Sequence, residues 1–316
     1  MTYQVMNEPD FLIVGERRSG STTLYEILKR HPEIGMLSQS DYDFFIEDEL
    51  FARKQPSTSL SRDWDSGVDI QDYFRLFTDL KGVTGQKDAD AFWWQAAHTR
   101  LAKYLPTTKF VLILRDPVKR AESQYWNEVA KGREKLSFPE AIQREIDGGL
   151  TDWQKLHLQY RERGCYASSL RRFLKHIPEE RLLIVVLENL FANWDPEIKR
   201  ICDYLKVSYV DLSRLENTKA NKEAAVIINP DIKSKVWINA IKLYDRIANR
   251  LIQKVARDKA SKHQYRERFM RIGKVSARDY YKTDASVTTS LYDFYSPFNK
   301  ELEELTGIDL SQWKSV

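Results

Sequence analysis

The chain has 316 residues, 42% hydrophobic and 12% aromatic, enough apolar side chain for a sizeable core, which excludes a wholly disordered polymer. A net charge of +4 argues against a dedicated nucleic-acid binder, although residues 231–282 carry 15 Lys and Arg against 5 Asp and Glu. The two cysteines, Cys165 and Cys202, form neither a disulfide framework nor a zinc pattern, which fits a reducing, cytoplasmic home.

In chain order, the N-terminus is polar, and "FLIVG" (11–15) is too short for a signal segment or a membrane span. It reads instead as a buried strand ended by Gly15. From Thr22 the apolar residues recur at helical spacing until His31-Pro32 closes the helix. A second unit begins with the apolar run 110–114, followed by a helix opened by Pro117 with Val118, Ala121, Tyr125 and Val129 on its inner face. A third comprises helix 165–176, strand 182–187 and helix 196–205, with Asp195 as N-cap and Pro196 at N1. Strands alternating with helices predict an α/β fold with a parallel sheet. Beyond it, 231–259 reads as a basic amphipathic helix and 290–305 as a terminal one.

"GERRSGST" (15–22) has the spacing of a phosphate-binding P-loop but lacks its lysine; Ser21 stands there, and Arg17 and Arg18 lie inside the loop. A loop between a strand and a helix N-terminus aims backbone N–H groups and a helix dipole at an anion. Arg17, Arg18, Ser19, Gly20, Ser21, Thr22 and Thr23 supply a guanidinium fork, hydroxyls and unhindered amides. The stretch also reads as an ordinary strand-to-helix turn with surface arginines. Arg115, just past the strand 110–114, and Ser123 on the next helix form a second candidate phosphate site, at the strand end where open α/β sheets bind ligands. Two anion sites fit a nucleotide phosphorylated at both ends of its ribose.

"FLIVGERRSGSTTLYEIL" resembles the 5′-phosphosulfate loop of sulfotransferases that use 3′-phosphoadenosine 5′-phosphosulfate (PAPS), and "VLILRDPVKRAESQYW" resembles their 3′-phosphate motif. "RGCYASSLRRFLKHIPEERLLIVVLENL" and "ELEELTGIDLSQW" are similar to later blocks of the bacterial and heparan-sulfate-type branch. The resemblance implies an α/β fold with a P-loop-like central parallel sheet flanked by helices and a helical C-terminal extension. The chain is expected to form one sulfotransferase domain over 1–316: a nucleotide-binding α/β core 1–225, a basic helical insertion or lid 226–290 and a cap helix 291–316. PAPS would be the donor, with no metal required. Arg18 occupies the position of a family lysine and would stabilise charge rather than give up a proton.

On the acceptor side, aligning Phe44-Phe45 with the family's aromatic pair places Asp41 on the catalytic glutamate and Asp43 on a histidine. Lys87 in "GQKDADAFWW" matches the active-site lysine. The resemblance also implies that Tyr166 lies beside the nucleotide and that Lys219 or Lys222 reaches the 3′-phosphate; a core tyrosine is the competing reading for Tyr166. Asp41, Asp43, Asp88 and Asp90 with Trp93 and Trp94 suit a small cationic acceptor, such as a saxitoxin-type guanidinium alkaloid in natural-product biosynthesis. A carbohydrate or other alcohol is the alternative acceptor. His98 is held in reserve as a base, because steroid-type sulfotransferases use histidine. A P-loop kinase or NTPase and a non-enzymatic nucleic-acid binder are the rival classes; the expectation is a small-molecule acceptor, with neither nucleic acid nor membrane as partner.

Overall fold

The computed structural model describes residues 8–38, 44–46, 70–212, 226–228, 274–276 and 285–314. Five parallel strands form the sheet: β1 (Phe11–Gly15), β2 (Ile34–Met36), β3 (Val83–Lys87), β4 (Lys109–Leu114) and β5 (Leu182–Val186), in the order β2-β3-β1-β4-β5. Every residue of β1 is buried, because this central strand is covered on both faces. The period of two sends Leu12 and Val14 to one face with Phe110, Leu112, Leu114 and Val186. Phe11 and Ile13 join Val111, Ile113 and Val185 on the other.

The helices Ser21–Leu28 and Trp194–Leu205 cover the second face with Leu24, Tyr25, Ile27, Leu28, Ile198, Ile201, Cys202 and Leu205. The first face packs against the helices Gln95–Tyr104 and Tyr166–Leu174, with Leu302, Leu310 and Trp313 from the C-terminal segment. Each such Leu, Ile or Phe contributes about 1.5–3 kcal/mol of burial. The predicted α/β architecture with its parallel sheet is the one observed.

The chain forms two compact units. The first comprises Met1–Ala121, Gln159–Ala220 and Thr288–Val316 and holds the sheet; the second comprises Glu122–Leu158 and Asn221–Val287. In the second unit the helix Phe138–Ile146 opens on a capping box between Ser137 and Glu140, and β6 (Val226–Ile228) pairs antiparallel with β7 (Lys274–Ser276). The basic stretch read as a helix over 231–259 lies outside the described residues. Among the described residues, no helix is long and apolar enough to cross a membrane.

The helix read as 196–205 starts at Trp194 with Asn193 as N-cap, so Asp195 and Pro196 sit inside its first turn. An acid there still favours the helix dipole, and a first-turn proline costs no hydrogen bond. The strands β2 and β3 carry no sequence prediction: "IGM" and "VTGQK" lack a long apolar run. β3 depends on Gly85, where a Cβ would lie 2.3 Å from the Phe11 ring of β1. The terminal helix spans Ala285–Thr306, longer than the 290–305 read from its periodicity.

Candidate active site

The carboxyl ends of β1, β3 and β4 meet at one edge of the sheet. Ile13 is in register with Lys87, and Gly15 with Ile113, so the loop after β1 lies between Lys87 and the start of the segment after β4. The loop closes on itself when Ser19 N donates to the Glu16 carbonyl at 3.1 Å. Arg18 adopts φ 69° and Gly20 φ 104°, both in the left-handed region. A non-glycine residue held there stores strain that the surrounding structure must offset, and such positions cluster at ligand sites. Glycine suits this positive φ because it carries no Cβ; an added one would also press on the tip of the Leu187 side chain, 2.6 Å from Cδ1.

Loop amides converge on a ligand only when the loop carbonyls face elsewhere. Two arginines secure that here. Arg115 Nη1 donates to the Arg18 carbonyl at 3.2 Å, and Arg120 Nη1 reaches the Arg17 carbonyl at 3.5 Å. Arg120 is fully buried and also donates to the Tyr160 carbonyl. The helix Ser21–Leu28 then presents its N-terminus, with Ser21 buried, Thr22 exposed and Thr23 half-buried. Lys87 Nζ donates to Thr22 Oγ1 at 3.2 Å, so its ammonium stands at that N-terminus.

Asp116 is fully buried and caps the helix Pro117–Ala130: Oδ1 accepts from Val118 N at 2.9 Å and Lys119 N at 3.2 Å. Its Oδ2 accepts from the Tyr292 hydroxyl at 2.9 Å. The helix begins at Pro117, and Val118, Ala121, Tyr125 and Val129 are buried, as their spacing predicts. Ser123 is half-buried on this helix, in the part that belongs to the second unit.

Tyr166, expected beside a nucleotide, is in the core. Its hydroxyl donates to the Arg115 carbonyl at 2.8 Å, its ring meets Trp313 edge-on, and burial pushes its pKa up. It therefore fixes the main chain at Arg115. His98 is also a core residue: fully buried, with Nε2 on the Phe92 carbonyl at 2.8 Å and its pKa pushed down to about 4, chiefly by burial. That removes it from the candidates for a base.

The acceptor-side acids behave differently from the sequence expectation. Asp90 was read as a ligand for a cationic molecule, but its carboxylate is held by two guanidiniums. Arg17 Nε and Nη2 lie at 2.7 and 2.6 Å from Oδ2, and Arg163 Nη1 lies at 2.7 Å from Oδ1. These cations overcome burial and hold the Asp90 carboxyl well below the usual carboxylate range. Arg163 also donates to Glu16 Oε2 at 3.0 Å, and its guanidinium sits 4.2 Å from the Trp93 ring centroid. Asp88 is buried in the turn that leaves β3, its N–H donating to the Ile13 carbonyl. Trp93 is half-buried, whereas Trp94 packs against the core and precedes the helix Gln95–Tyr104. Asp41, Asp43, Lys219 and Lys222 lie outside the described residues.

The structure thus brings Arg17, Arg18, Ser19, Gly20, Ser21, Thr22, Lys87, Asp90 and Arg115 together around one loop. Glu16, Arg120 and Arg163 are site residues the sequence reading missed. Arg163 lies 147 positions from Glu16, so no spacing rule connects them. The only available signal was an acid inside a basic anion loop.

Residues 9–211 match the model of the family described as "Sulfotransferase family". Over 306 residues the chain is 25% identical to heparan sulfate glucosamine 3-O-sulfotransferase 3B1 of Mus musculus, covering 95% of this chain and 64% of that protein. The Homo sapiens protein of that name is 24% identical over 304 residues, with the same coverage. The chain therefore spans less than two thirds of the length of these curated relatives. In fold it is similar to the crystal structure of a sulfotransferase from Alicyclobacillus acidocaldarius, with TM-score 0.52 and 24% identity over 81% of this chain and 99% of that one. With a family match that runs from β1 past the helix Trp194–Leu205, the chain belongs to the sulfotransferase family.

Proposed function

We propose that the chain transfers a sulfuryl group from PAPS to a hydroxyl or nitrogen of a small acceptor. The observation that carries this reading is the convergence of Lys87, at the end of β3, and Arg115, just past β4, on the helix N-terminus at Thr22 and on the strained loop residue Arg18 that precedes it. In this reading the loop amides and Arg18 bind the 5′-phosphosulfate, and Arg115 binds the 3′-phosphate. The acceptor attacks sulfur, the bond from sulfur to the bridging oxygen breaks, and the electron pair leaves on the phosphate. Lys87 and Arg18 neutralise that growing charge, as positioned cations do in phosphoryl transfer. Asp41 is the proposed base for the acceptor proton.

A kinase or NTPase would need an acid after β4 available to Mg²⁺. Asp116 instead spends its carboxylate on a helix cap and on Tyr292, which disfavours that class. For the acceptor, a cation such as a saxitoxin-type guanidinium alkaloid would be recognised by Asp88 and Trp93, with Asp41 and Asp43. The pairing of Asp90 with Arg17 and Arg163 removes one acid from that set. It favours a second reading, a carbohydrate hydroxyl, which the similarity to heparan sulfate sulfotransferases over 95% of this chain also supports.

The test is calorimetric titration with adenosine 3′,5′-bisphosphate against ATP plus Mg²⁺, on the wild type and Arg115→Ala. Tight bisphosphate binding that the variant loses is the expected result. Preference for Mg-ATP would overturn the reading. Release of the bisphosphate from PAPS, measured over guanidinium compounds and over glucosamine saccharides, separates the two acceptor classes.

A further inference from the structure

Glu16 is the acid that an anion-binding loop should not contain. Its carbonyl closes the loop on Ser19 N, and its side chain is fully buried beneath that turn. Oε2 accepts one hydrogen bond, from Arg163, while Oε1 accepts none among the described residues. Arg163 is itself shared with Asp90, at the shorter distance of 2.7 Å. The charged and titratable groups facing Glu16 are Arg163 from the 3-10 turn Glu162–Gly164, Arg120 from the helix Pro117–Ala130 and Asp90 from the turn after β3. Arg17 of the loop and Tyr166 complete the set among the described residues.

A carboxylate out of water needs most of its lone pairs satisfied, and this one has a single shared donor. Burial outweighs the arginines and lifts the Glu16 carboxyl to about 8. An anion arriving on the loop adds negative potential at the same residues and penalises the ionised form further. We propose that Glu16 is a positioning residue of the donor loop that takes up a proton when the loop binds its phosphate-bearing ligand. The neutral acid then leaves the positive potential of Arg17, Arg120 and Arg163 to the ligand. This inference rests on the donor reading above.

The direction follows from linkage. Below the free-state pKa Glu16 is already protonated, so binding takes up nothing there. Above about 8 it is ionised in the free protein and must be protonated on binding, so affinity falls as pH rises, by at most about tenfold per unit for one proton. The experiment titrates the full chain and Glu16→Gln with adenosine 3′,5′-bisphosphate across the alkaline range. The wild type is also titrated near the alkaline end in two buffers of different ionisation enthalpy. The expected result is a wild-type Kd that rises steeply with pH, a flatter profile for the variant, and proton uptake by the wild type. Parallel profiles, or no uptake by the wild type, would overturn the inference while leaving the donor site standing. Should the variant not fold, the two-buffer comparison on the wild type decides alone. A wild type that binds no bisphosphate at any pH would refute the donor reading, and this inference with it.

Discussion

Replacing Asp90 with alanine should destabilise the protein severely, whatever the acceptor. The carboxylate is 8% exposed and meets Arg17, 18% exposed, and Arg163, which is fully buried. Deleting it leaves two guanidiniums crowded at one point, with the Glu16 carboxyl as the remaining acidic partner of Arg163. Removing one partner of a buried ion pair costs about 3–5 kcal/mol, because the other charge stays buried. The partial exposure of Arg17 allows it to turn toward water, so the lower end applies. For a chain of this size that corresponds to a fall in Tm of roughly 5 °C. Asp90→Asn keeps the shape and one acceptor oxygen and should lose less. Thermal and urea unfolding of both variants supply the comparison. A loss below about 1 kcal/mol for the alanine variant would refute the reasoning. Combined with weaker binding of a cationic acceptor, that outcome would restore Asp90 as an acceptor ligand.

Gly20→Ala should weaken bisphosphate binding in calorimetry, because a side chain at φ 104° strains the loop by about 1–3 kcal/mol; unchanged affinity would contradict this. His98 is neutral in the folded state, and its pKa lies below that of the unfolded chain. Stability should therefore be insensitive to this residue above the ordinary histidine value and fall by about 1.4 kcal/mol per unit as pH drops from there toward 4. His98→Gln should flatten that part of the urea-midpoint profile and retain catalysis; parallel profiles for the two proteins would contradict the assignment.

Much of the fold was legible because it follows from local patterning. The runs "FLIVG" (11–15) and "FVLIL" (110–114) are apolar along their whole length, which only a strand covered on both faces can use. The helix after Arg115 announces its start by proline and its inner face by spacing. β3 was not legible, because "VTGQK" becomes a strand through pairing with β1 and β2 and through the close fit of Gly85 on Phe11. Asp90 was misplaced, and Tyr166 stayed open between nucleotide and core, for a related reason. Residue type tells what a side chain can do, whereas its partners, the Arg115 carbonyl and the guanidiniums of Arg17 and Arg163, come from distant segments.

Residue order alone specifies the strand–loop–helix that makes an anion site, since a short apolar run, a glycine-containing turn and a helix N-terminus need no distant contact to form one. It also placed Arg115 just beyond a strand end, whereas Lys87 was singled out by resemblance alone and owes its position at a strand end to the pairing of β3. Only the tertiary structure decided how the charges divide. Arg17 is spent on Asp90, Arg115 and Arg120 hold loop carbonyls, and Glu16 is buried with one shared donor. Such pairings depend on distance in space and on the removal of water, and neither is written in the order of residues.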